Sequence, residues 1–273
     1  MKGLLALLRE IVSGRKMIWE LGKNDFRTRY AGSYLGIIWA FVQPVITVFV
    51  YWIVFEKALN AASQQTKAGI TVPYVLWLVA GLVPWFYFSE VINSGTSCLL
   101  DYGYLVKKVV FRIEILPVVR LLSGMFVHLF FIAFTFLLYG LFRRFPGIYV
   151  LQLLYYSLAM MCLCAGICYV TASIAVFFRD IMQIINIILQ VGVWFTPILW
   201  NVDAVHMPQW LAALVRLNPM FYIVNGYRES LIEQKGFWLH PRLTLCFWTV
   251  TAVLWLLGSQ VFRRLQPHFA DVL

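Results

Sequence analysis

Six stretches of the chain carry no charged residue and are each long enough to cross a bilayer. They are 30–55, 68–89, 121–142, 145–178, 181–202 and 243–262, of 26, 22, 22, 34, 22 and 20 residues. A hydrocarbon core of about 30 Å takes about 20 residues of helix. The runs are continuously apolar rather than alternating, which selects helices over a β-barrel. Composition agrees. Of 273 residues 62% are hydrophobic and 12% charged, with mean hydropathy +0.80, leaving too little polar surface to cover a soluble globule. A soluble enzyme, a disordered chain and a disulfide-stapled domain are excluded. The expected fold is an all-α integral membrane six-helix bundle, one domain over 1–273, with spans near 33–55, 70–89, 118–142, 148–178, 181–202 and 243–262.

Orientation follows from Lys and Arg. With both termini cytoplasmic, the interior segments hold fourteen of the 22 and the exterior segments eight, as the positive-inside rule favours; Arg143 and Arg144 vote the other way. Gly3 to Leu8 is too short for a signal-peptide core, so no cleaved leader is expected. Residues 1–29 read as an interfacial amphipathic helix, with Leu4, Leu5, Leu8, Ile11, Val12, Met17, Ile18 and Leu21 at helical spacing. In 203–242 the uncharged run 217–227 (LNPMFYIVNGY) is too short to cross and apolar enough to dip in, which predicts an outer re-entrant hairpin. Pro197 should kink or end the fifth span. The five cysteines (Cys98, Cys162, Cys164, Cys168, Cys246) sit mostly in apolar runs and read as small packing residues.

The chain has no P-loop, H-E-x-x-H, G-x-S-x-G or G-x-G-x-x-G motif. Ionisable groups inside spans, the usual mark of ion coupling, reduce to His128, which reads as a neutral imidazole bonded to a neighbouring helix. Such a bundle either takes its energy from a partner or conducts passively.

A series of short motifs then gives a direction. RYAGSYLGIIW at 29–39 with Gln43 and Pro44, LVKKVVFRIEILP at 105–117, FRDI at 178–181, TPIL at 196–199, LNP at 217–219, GYR at 226–228 and FADVL at 269–273 together resemble permease subunits of ABC-2-type polysaccharide exporters, the teichoic-acid, O-antigen and capsule branches. Arg112 and Thr196 stand where the family usually has Pro and Ser. The resemblance implies a homodimer bound to two ABC ATPase subunits in the bacterial cytoplasmic membrane, with both termini cytoplasmic. It implies transport of a polyprenyl-pyrophosphate-linked polymer, no cofactor in this chain, Mg-ATP in the partner, and no role for nucleic acid. It also implies that the 90–117 loop couples to the ATPase through Asp101, Lys107, Lys108, Arg112 and Glu114, with Arg179 and Asp180 as a second contact; a solvated interior loop is the plainer reading.

Physical chemistry adds candidates. Pyrophosphate needs cations at the inner surface, and Lys23, Arg27 and Arg29 precede the first span, where they equally suit anionic lipid. Sugar C–H faces stack on aromatic rings. Trp39, Phe41, Tyr51, Trp52, Trp85, Phe86, Tyr87, Trp194 and Phe195 supply such rings, many of them also ordinary headgroup-belt residues. Gly32 and Gly36 form a G-x-x-x-G for close packing, at a helix contact or a dimer seam. The competing functions are an ABC-2 exporter of a drug or small lipid, and a membrane-embedded glycosyltransferase, for which no paired carboxylates or metal cluster are evident.

Overall fold

The computed structural model describes residues 2–30, 34–58, 64–65, 69–106, 111–202 and 207–273. Two N-terminal helices, α1 (Lys2–Ser13) and α2 (Arg15–Tyr30), precede α3 (Gly36–Ala58). A two-residue antiparallel strand pair, β1 (Gln64–Gln65) and β2 (Thr71–Val72), leads into α4 (Tyr74–Asp101) and α5 (Gly103–Val106). Then come α6 (Ile113–Leu141) and α7 (Ile148–Phe177), α8 (Ile181–Phe195), α9 (Gln209–Leu217), α10 (Pro219–Arg228) and α11 (Pro241–Val272). Five of these, α3, α4, α6, α7 and α11, are long and apolar enough to cross a membrane.

The bundle is built around α4. Its most apolar window is 78% buried, against 11% for α3, because Tyr74 to Trp85 is apolar on every side and finds a partner on every side. The helix does not end at residue 89. It continues to Asp101, so the first twelve of the 28 residues of the expected 90–117 loop are helix, and the connection to α6 is correspondingly shorter. Close packing on α4 and α7 comes from small residues. A Cβ on Gly95 would lie 2.3 Å from Cys168 Sγ, and one on Gly258 of α11 would lie 2.9 Å from the Gly166 carbonyl oxygen of α7. Cys98, Cys164 and Cys168 are buried free thiols, and Thr96 Oγ1 donates to Thr171 Oγ1 at 2.8 Å. Gly32 lies outside the described residues. Gly36 has φ +54°, so its glycine serves the turn into α3, where a side chain would be strained.

The N-terminal segment differs from a single helix in the interface. It is two helices meeting at Gly14, and the face they bury is Leu7, Ile18 and Asp25. Leu5, Leu8 and Val12, part of the expected stripe, are exposed. Ile18 packs with Ile115 and Val119, Gly22 faces Leu122, and Trp19 and Phe26 both meet Phe126. So α2 runs alongside the first turns of α6. Leu7, Cys98, Leu116, Val176, Phe262 and Phe269 share one cluster, which places the N-terminal helices, the ends of α4 and α7, the start of α6 and the C-terminal turns at one end. From there α8 carries the chain to the opposite end, where Tyr74 Oη donates to the Leu199 carbonyl. α8 stops at Phe195 because Thr196 turns extended just before Pro197, as the sequence suggests.

At that far end α9 and α10 form a helical pair joined at Asn218. Asn218 Oδ1 caps α10 through the Met220 amide at 3.0 Å, and its Nδ2 donates to Thr196 Oγ1 at 2.8 Å. α10 is buried through Met220, Tyr222, Ile223, Val224, Gly226 and Tyr227. A Cβ on Gly226 would collide with the Tyr156 ring at 2.1 Å.

Candidate functional site

A run of polar groups follows one face of α4. Near its middle a cavity of about 250 Å³ is walled by α3, α4 and α6, and its lining includes Trp39, Gln43, Thr47, Phe86, Tyr87, Glu90, Asn93, His128 and Phe131. Toward the N-terminal end a second cavity of about 480 Å³ is lined by Arg29, Glu90, Asn93, Ser94, Thr96, Ser97, Asp101, Arg120 and, from α8, Met182 and Asn186. Glu90 and Asn93 belong to both walls. The two form one cleft, aromatic at its inner part and hydroxyl-, amide- and charge-lined at its mouth. Asparagine and serine side chains at Asn93, Ser94 and Ser97 return every three to four residues, so one stripe of α4 faces the cleft.

A charge cluster closes the mouth. Asp25 of α2 is 3% exposed. It accepts from Arg120 Nη1 at 2.7 Å, Arg29 Nη2 at 2.9 Å and Tyr102 Oη at 2.6 Å. Arg29 also reaches Glu90, and Arg120 reaches Asp101, which accepts from Ser97 Oγ at 2.8 Å. Burial would raise the Asp25 pKa, but Arg120, the Tyr102 hydroxyl and Arg29 outweigh it and hold the carboxyl below the usual aspartate value. Two guanidiniums and three carboxylates thus bind α2, α4 and α6 together.

The expected site residues divide accordingly. Trp39, Phe86 and Tyr87 line the cleft. Phe41 meets Phe130 at a tilt of 44°, with centroids 4.1 Å apart. Trp85 is buried with its ring edge against Gly192 of α8. Tyr51 packs edge-on to Phe55, Trp52 donates to Glu56 at 2.6 Å, and Trp194 and Phe195 are exposed on α8. Of the three cations, Arg29 is bound to Asp25 and Glu90, Lys23 pairs with Glu20 at 3.0 Å, and Arg27 is exposed. They do not converge. Asp101 is exposed and is held by Arg120 and Ser97. Glu114 accepts from Gln266 at 2.8 Å, and Arg112 is exposed beside Glu10 at 3.4 Å. Arg179 and Asp180 are exposed at the same end. Lys107 and Lys108 lie outside the described residues. His128 Nε2 lies 3.2 Å from Ser157 Oγ and 2.9 Å from Tyr227 Oη, bonding α6 to α7 and α10.

Asp25, Glu90, Arg120 and Asn93 were not picked out from the sequence. The three charges stand in gaps between apolar runs, where flanking charges are ordinarily solvated. The only available signal was the spacing of Asn93, Ser94 and Ser97 along an otherwise apolar helix. No group of three His, Cys, Asp or Glu side chains able to hold a metal occurs among the described residues.

A multi-pass helical membrane protein with a polar cleft between its helices is a transporter-like architecture. The sequence match makes it specific: the chain belongs to the ABC-2 type transporter family, which matches residues 16–232. It is 24% identical over 268 residues to the O-antigen export system permease protein RfbA of Myxococcus xanthus, covering 98% of this chain and 99% of that one. It is 21% identical over 253 residues to the O-antigen export system permease protein RfbA of Klebsiella pneumoniae, covering 92% of each. It is also 21% identical over 210 residues to the polysialic acid transport protein KpsM of Escherichia coli, covering 77% of this chain and 78% of that one.

Proposed function

We propose that this chain is the permease subunit of an ATP-driven exporter of a lipid-linked cell-surface polysaccharide, with O-antigen-like polymers favoured over teichoic acid by the names of its relatives. The cleft carries the reading: aromatic faces at Trp39, Phe86 and Phe131 beside dispersed amides and hydroxyls at Gln43, Thr47 and Asn93 suit sugar surfaces, and a narrow charged filter is not their arrangement. Energy comes from Mg-ATP hydrolysed by two partner ATPase subunits. They dock at the end bearing exposed Tyr104, Arg112, Phe177, Phe178, Arg179 and Asp180, a mixed aromatic and charged surface suited to a protein partner.

Six membrane spans and cytoplasmic termini complete the proposal. The first and last helices meet at one end of the bundle, which supports an even number of crossings. α8, a 15-residue helix of about 22 Å by its rise, supplies the sixth together with the extended turn after it. Tyr227 of α10 meets His128 midway along α6, which supports the re-entrant form of the outer hairpin. α8 leaves one face uncovered (Ile184, Ile187, Ile188, Val191 and Trp194), suited to a homodimer seam.

The test is genetic and biochemical together. Deleting the gene should abolish surface polysaccharide and leave lipid-linked polymer inside the cell, and the tagged chain should co-purify with an ATPase subunit. Normal surface polymer in the deletion strain would refute the proposal.

A further inference from the structure

The GYR motif has no part in the cleft. Arg228 closes α10 at the opposite end, where its guanidinium lies 3.4 Å from the centroid of the Trp77 ring. Its Nη1 and Nη2 donate to the Pro197 and Ile198 carbonyls at 2.7 Å each. These bonds fix the break after α8, but neither is to a charge, and the buried Nε has no partner. A cavity of about 360 Å³ opens beside it, lined also by Arg216, Glu229, Glu233, Lys235, His240 and Arg242.

The charges in this chamber do not balance. Glu229 is occupied by Asn225 Nδ2 at 2.7 Å and His240 Nε2 at 2.8 Å, and Glu233 by Lys235. Arg216, Arg228 and Arg242 have no carboxylate within 4.0 Å among the described residues. Among the described residues, three guanidiniums from three different elements therefore face one cavity with no carboxylate paired to them, its two carboxylates, Glu229 and Glu233, being taken up by His240 and Lys235. Guanidinium forks match phosphate oxygens bidentately, and partial burial at Arg228 strengthens the interaction. A sugar would leave the excess charge unmet, and a carboxylate would engage only one fork.

We propose that this chamber is a phosphate-binding site, recognising a phosphate mono- or diester at the end of the bundle opposite the N-terminal helices. It is distinct from the cleft, and its chemistry is shared by inorganic phosphate and by a phospholipid headgroup.

The test uses the full-length chain in dodecyl maltoside micelles, which carry no phosphate, titrated by calorimetry with sodium phosphate and separately with dihexanoyl phosphatidic acid, at matched ionic strength. Saturable binding is expected, at least tenfold weaker in R216Q/R242Q and unchanged in R263Q/R264Q at the other end. These side chains are exposed, so the fold should survive; R216Q and R242Q singly, each weakening binding at least threefold, serve if the double variant does not fold. Binding of both probes identifies a general phosphate site, and binding of phosphatidic acid alone identifies a headgroup site. Absence of saturable binding by either, binding indifferent to R216Q/R242Q, or equal loss in R263Q/R264Q overturns the proposal. Because the readout is on purified protein, it fails or succeeds independently of polysaccharide export in cells.

Discussion

Asp25 is the residue on which the mouth of the cleft turns. Its buried carboxylate holds two arginines and a tyrosine, and removing one partner of a buried ion pair leaves charge uncompensated, at a cost of about 3 kcal/mol or more. D25N should therefore lower the thermal midpoint of the purified chain markedly, whereas K23Q, at an exposed pair, should change it little. The pH dependence has a definite sign. The folded pKa of Asp25 lies below its unfolded value of 3.8, so its stabilisation is fully present above pH 3.8 and is lost as pH falls through the folded value. The difference in midpoint between wild type and D25N should be constant from pH 7 to pH 5 and shrink below 3.8; a difference that grew on acidification would contradict the assignment. None of this was legible in the sequence, because a lone Asp between Asn24 and Phe26 carries no sign of the helix that covers it. His128 was legible, since an imidazole in an apolar run must find a partner.

At the scale of elements, helix type followed from charge-free runs, and among the described residues five of the six runs hold helices long enough to cross, while helix ends and packed faces did not follow. α4 runs twelve residues past its last apolar-run residue to Asp101, since Glu90 faces a polar cleft and does not need to leave the helix. Which N-terminal residues pack on the bundle was not legible for a similar reason. Both Leu7 and Leu8 fit helical spacing, and only the surface of α6 and α11 decides that Leu7 is covered and Leu8 is not. Close helix contacts among the described residues fall at single glycines, Gly95, Gly124, Gly226 and Gly258, which no G-x-x-x-G spacing marks in the sequence. A side chain on Gly258 meets the backbone oxygen of Gly166, which cannot rotate away, so G258V should destabilise by about 2 kcal/mol. G22A meets only the tip of Leu122 and should be far milder. Thermal unfolding of both variants in detergent checks the ordering.

At the scale of the whole molecule, the bundle brings both termini to one end and places a sugar-compatible cleft between that end and its centre. The family was legible from ordered motifs along the chain. The cleft was not, because its walls come from α2, α3, α4, α6 and α8, and only three of nine candidate aromatics reach it. If α8 forms the dimer seam, V191C should give a disulfide-linked dimer on mild oxidation in membranes, and a substitution on the buried side, L189C, should not. The most direct measurement concerns the cleft itself. Asn93 borders both of its cavities, and N93W would fill the junction while leaving the docking end untouched. Surface polysaccharide should fall at least tenfold in cells making N93W, with the variant still co-purifying with its ATPase partner at wild-type yield; wild-type export through N93W would contradict the assignment of the cleft as the polymer's path.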